Sequence, residues 1–64
     1  MKNINEFIKY AKDHKGMKFD TMTFSYAFNT DKYQAREIIC QLIDSGIVTM
    51  IGKNHKNRNV YKIN

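Results

Sequence analysis

The chain has 64 residues, 42% of them hydrophobic and 27% charged, and a formal net charge of +5. This composition excludes a disordered chain, and the length excludes more than one domain, so residues 1–64 are expected to form a single small unit. A single cysteine, Cys40, excludes an internal disulfide, and with only two scattered histidines beside it no metal site or cofactor is expected.

The first predicted helix covers residues 3–15. Ile4, Phe7, Ile8, Ala11 and His14 recur at the three- and four-residue steps that line one helix face. Asn3 or Asn5 caps its start, and Lys15–Gly16 is the expected stop. Lys2, Glu6, Lys9, Lys12 and Asp13 fall on the wet side, and Tyr10 at the core edge. Met17-Lys18-Phe19 alternates apolar and polar, the pattern of a very short strand that needs a later partner.

Asp20 or Thr21 caps a second helix, Thr21 to Phe28, with Phe24 and Phe28 on one face and Ser25 small enough for close helix approach. Asn29-Thr30 makes a turn, where asparagine tolerates a left-handed backbone. Asp31 with Gln34 three residues on is a capping-box pattern, Thr30 being the alternative cap. The third helix runs to about Ser45 and ends at Gly46. Its inner face is Ala35, Ile38, Ile39, Leu42 and Ile43, and Cys40 is expected half-buried. Its outer face near the N-terminus is Lys32, Tyr33, Arg36 and Glu37, with Gln34 beside them.

Ile47 to Ile51 is a β-branched run of strand character, and Gly52 to Asn57 a polar, basic loop. Asn59 to Ile63 alternates again, with Val60 expected inward and Ile63 or Tyr61 with it. The two runs form a β-hairpin, to which Met17–Phe19 adds a third strand.

Helix, short strand, helix, turn, helix and basic hairpin is an order that resembles the winged helix-turn-helix family over nearly the whole chain. The specific features are Phe24, Ser25 and Phe28 in the first helix of the motif, Asn29 at the turn, Ala35 and Ile38 in the second helix, and the exit Leu42 to Val48. Asn29 stands where the family has glycine, and Thr30 where it has a larger aliphatic residue. The implied fold is mainly α with a small β-hairpin: three helices plus a C-terminal β-wing.

The resemblance implies a recognition helix that presents Lys32, Tyr33, Gln34, Arg36 and Glu37 to the DNA major groove. Arg36 suits guanine, Gln34 adenine and Glu37 cytosine, while Lys32 and Tyr33 suit phosphate. It also implies a wing that grips DNA through Lys53, His55, Lys56 and Arg58, with Lys56 and Arg58 foremost. Charge divides accordingly: residues 1–19 carry +3, residues 20–46 carry −2, and residues 47–64 carry +4 with no acid. A basic, acid-free wing suits the phosphate backbone.

No serine–histidine–acid set, phosphate-cradling glycine loop or pair of carboxylates placed for acid/base work is legible, so an enzyme is not expected. No signal-peptide pattern and no apolar run near ~18 residues is present, so a cytoplasmic chain without membrane contact is expected. The expected function is sequence-specific binding of double-stranded DNA as a small transcriptional regulator of a phage, plasmid or mobile element. A homodimer is expected, because two half-sites multiply specificity, with the first helix and the terminal strand as the free surfaces. The alternative is a protein-binding winged helix, an inhibitor or an accessory factor in replication or recombination, with Tyr33 as anchor. The −2 of the middle segment motivates it.

Overall fold

A computed structural model describes residues 3–64. Lys2, expected on the wet side of the first helix, lies outside them. The described chain forms three helices and a three-stranded antiparallel sheet, a mixed α and β architecture rather than helices with an appended hairpin. None of these helices is long and apolar enough to cross a membrane.

Helix α1 spans Ile4–Lys12, and the Asn3 side chain caps it by accepting from the Glu6 amide at 3.0 Å. It ends three residues before the expected stop. The Gly16 amide donates to the Ile63 carbonyl at 2.7 Å, and the Ile63 amide to the Met17 carbonyl at 2.9 Å. These bonds draw the chain onto the sheet, and Gly16, at φ +89, makes the bend that a residue with a Cβ resists. His14 is therefore exposed and not part of the apolar face. Its ring stacks on Tyr10 at 3.8 Å.

Strand β1, Lys18–Asp20, leads directly into helix α2, Thr21–Ala27. Asp20 caps α2 by accepting from the Thr23 amide at 2.7 Å. The helix closes with Thr30 N–H donating to the Ser25 carbonyl at 2.9 Å and Asn29 N–H to the Tyr26 carbonyl at 3.1 Å. This is the paired closure that needs a left-handed residue after the cap, and Asn29 supplies it at φ 52. Asn29→Gly is expected to leave stability unchanged or raise it slightly, whereas Asn29→Ala is expected to cost about 1 kcal/mol in urea denaturation. Equal midpoints for the two variants would contradict this account.

Asp31 caps helix α3, Lys32–Asp44, by accepting from the Gln34 amide at 2.8 Å, so Thr30 is not the cap. Gly46, at φ +78, closes α3 with the same pair of bonds: Ile47 N–H to the Leu42 carbonyl and Gly46 N–H to the Ile43 carbonyl. Ala35, Ile39 and Leu42 are fully buried, Ile38 is half-buried, and Ile43 is exposed at 37%, on the solvent side of the expected inner face. Cys40 is also exposed. The buried stripe is narrower than the apolar sequence pattern because α3 packs on one side only.

Strands β2, Val48–Lys53, and β3, Asn59–Ile63, form the hairpin. The sheet order is β1-β3-β2, so the C-terminal strand lies in the middle and is not a free edge for a second copy. Phe19 pairs with Tyr61, and Val48 with Ile63. A bulge between Met50 and Gly52 inserts Ile51, which interrupts the alternation and leaves both Met50 and Ile51 exposed. On β3 it is Tyr61 and Ile63 that are buried; Val60 is only half-buried.

The core is dominated by aromatic rings. Phe7 lies 5.3 Å from Phe24, 5.8 Å from Phe19 and 6.2 Å from Phe28 between ring centres, and Phe24 stacks on Phe28 at 4.4 Å. Large rings supply much buried area per residue, which a chain this short requires.

Candidate functional site

The period of α3 determines what it offers to solvent. With Ala35, Ile39 and Leu42 inward, Tyr33 and Glu37 point away from the core, and Lys32 and Arg36, four residues apart, share one flank. That flank faces the hairpin. Between them lies an open groove of about 560 Å³, lined by Lys32 and Arg36 of α3, Thr21, Met22 and Ser25 of α2, and Lys53, Asn57, Arg58 and Asn59 of the hairpin. Four cationic residues thus line it, and none of its lining residues is acidic.

The nine expected site residues separate into two groups. Lys32, Arg36, Lys53 and Arg58 come together in the groove. Tyr33, Gln34 and Glu37 are exposed on α3 outside it, Tyr33 at 67% with the Lys32 ammonium 5.4 Å from its ring centre. His55 and Lys56 are exposed on the loop between β2 and β3 and do not line the groove. Of the two wing residues placed foremost, Arg58 belongs to the groove and Lys56 does not.

Thr21, Met22, Ser25, Asn57 and Asn59 also line the groove, though none of them was among the expected site residues. Met22 carried a legible signal, since it is apolar yet falls off the face that Phe24 and Phe28 share; the structure leaves it 38% exposed. Ser25 has its hydroxyl committed to the Met22 carbonyl at 2.7 Å. The asparagines look like turn formers in sequence, and Asn57 is one, at φ 63.

The Asp20 carboxylate lies outside the lining but feels the charge of Arg58. The Thr23 amide holds it below the usual carboxylate range, with help from the Thr23 hydroxyl, the Arg58 charge and the Asn54 amide, against partial burial. A carboxylate whose pKa is lower folded than unfolded stabilises fully above its unfolded value near ~3.9, and that contribution is lost as pH falls through the folded value. Asp20→Ala is therefore expected to cost about 1 kcal/mol at neutral pH, with the gap to wild type narrowing below about pH 4. Denaturation at neutral and acid pH measures it; a gap independent of pH would refute it.

A second, smaller cleft of about 130 Å³ lies among Phe7, Tyr10, Met17, Phe19 and Phe24. It is apolar, and the Tyr10 hydroxyl donates to the Met17 sulfur at 2.9 Å across its rim. Among the described residues no group of three or more His, Cys, Asp or Glu is arranged to hold a metal ion.

No protein-family model, curated protein or solved structure matches this chain. The functional reading therefore rests on the groove and the elements that build it.

Proposed function

We propose that the chain is a winged helix-turn-helix protein that binds double-stranded DNA in a sequence-specific way, as a small transcriptional regulator of a phage, plasmid or mobile element. In this reading α2, the Asn29 turn and α3 are the helix-turn-helix, and the β2–β3 hairpin is the wing. The observation that carries it is the convergence of Lys32, Arg36, Lys53 and Arg58 on one open, acid-free groove. Four cations drawn from two separate elements suit a run of phosphates, whose neutralisation releases condensed counterions.

Lys32, Lys53, Arg58 and the Tyr33 hydroxyl then hold the backbone, Arg36 reads guanine from the groove side, and Gln34 and Glu37 meet base edges from the exposed face of α3. A second copy would cover Met50 and Ile51 on the edge strand β2, both nearly half exposed. Fluorescence anisotropy with short DNA duplexes, repeated across salt concentrations, tests the reading. Affinity should fall steeply with salt, with a slope near −2.7 for about three cationic phosphate contacts. Salt-independent binding would remove the DNA reading.

One observation favours a protein partner instead. Tyr33 and Tyr26 are exposed at 67% and 77%, more than any other large hydrophobic residue among those described. An anchor tyrosine in a partner's pocket would account for Tyr33, and such a complex would persist in high salt.

A further inference from the structure

The groove has two walls, the helices α2 and α3 on one side and the hairpin on the other, and a side-chain hydrogen bond joins them. Asn54 Nδ2 donates to Asp20 Oδ2 at 3.3 Å, across 34 residues of sequence. Both side chains are half-buried. The other Asp20 oxygen is already engaged by the Thr23 amide at the start of α2.

Asn54 is also the centre of the loop between β2 and β3. Its side-chain oxygen accepts from the Lys56 amide at 2.9 Å and the Arg58 amide at 3.1 Å. Its backbone amide donates to the Arg58 carbonyl at 3.0 Å, and its carbonyl accepts from the Asn57 amide at 2.9 Å. Two backbone amides on the side-chain oxygen determine which way the amide group is turned, so the nitrogen must face Asp20. Lys53 and Arg58, the hairpin's two groove cations, sit at the two ends of this loop.

We propose that Asp20 and Asn54 are positioning residues for nucleic-acid binding, a tether that holds the loop so that Lys53 and Arg58 face the groove. This inference rests on the nucleic-acid reading above. Neither residue lines the groove. Their effect on affinity passes through the placement of two cations contributed by another segment.

A mutant cycle separates the tether from simple charge. Asn54→Asp keeps the oxygen that organises the loop but sets two carboxylates face to face. Asp20→Asn keeps a good helix cap but puts the two amide groups in conflict, because the cap occupies its oxygen. The double variant exchanges the two groups, which restores both the donor–acceptor contact and the wild-type charge.

With a short mixed-sequence DNA duplex as probe, Asn54→Asp is expected to weaken binding about tenfold and to lower the salt slope by about two contacts. Asp20→Asn is expected to weaken it about threefold despite removing a negative charge, and the double variant to return to within about twofold of wild type. If charge alone mattered, Asp20→Asn would tighten binding and the single effects would multiply in the double variant. That result would overturn the tether. A wild-type chain that binds no duplex would instead remove the nucleic-acid reading and this inference together.

Discussion

Phe7→Ala is expected to remove a large share of the stability of this chain and to shift its urea midpoint far down. Phe7 is 2% exposed, and its ring meets those of Phe19, Phe24 and Phe28, so it joins α1 to the sheet and to α2. Truncating a buried phenylalanine costs about 3–5 kcal/mol in lost transfer energy and residual cavity. A domain of this length has roughly 3–10 kcal/mol in total, so one such loss removes a large share or all of it. Neighbouring rings are too stiff to fill the space. Ile51→Ala is the matched control, because Ile51 is 45% exposed in the bulge and should change stability by at most about 0.5 kcal/mol. Urea titration followed by far-ultraviolet circular dichroism compares them. Similar midpoints for the two variants would show that the aromatic cluster is not the centre of the core.

The second large effect concerns the groove. Arg36→Ala combined with Arg58→Ala is expected to weaken duplex binding about a hundredfold and to reduce the salt slope by about one unit, Arg58 being the phosphate contact of the pair. The two residues belong to different elements and line opposite walls, so each is expected to contribute about tenfold, close to independently. Lys56→Ala, on the loop but outside the groove, should change affinity less than twofold. Neither arginine side chain carries the loop's hydrogen bonds, which use the Arg58 backbone, so the fold should persist in both variants. Circular dichroism checks that before binding is measured. Were Lys56→Ala as damaging as Arg58→Ala, the loop's exposed face and not the groove would be the contact surface. Undiminished affinity in the double variant would remove the DNA reading.

Several features were legible because they depend on neighbours in sequence. Caps and closures are of this kind: Asn3, Asp20 and Asp31 each bond an amide three residues on, and Asn29 and Gly46 follow directly from the helices they close. Long-range pairing decided what local pattern had suggested differently. Helix α1 is shorter than its apolar pattern because Gly16 and Met17 bond to Ile63 near the far end of the chain. Val60 yields the core to Tyr61 and Ile63 because Tyr61 pairs with Phe19 and Ile63 with Val48. Ile43 is apolar but exposed, since helical spacing names a stripe without saying how much of it another element covers.

The candidate site divides in the same way. Sequence alone determined that cations gather in the last third of the chain and on the early turns of the third helix, because charge is a property of composition and helix period. It did not determine that Lys32 and Arg36 face Lys53 and Arg58 while Tyr33, Glu37 and Lys56 do not. That follows from placing β3 between β1 and β2, which sets the hairpin beside α2 and α3 and brings Asn54 to Asp20. Local chemistry selects the helices, the turns and the charge; only the packing of distant segments brings four like charges to one groove.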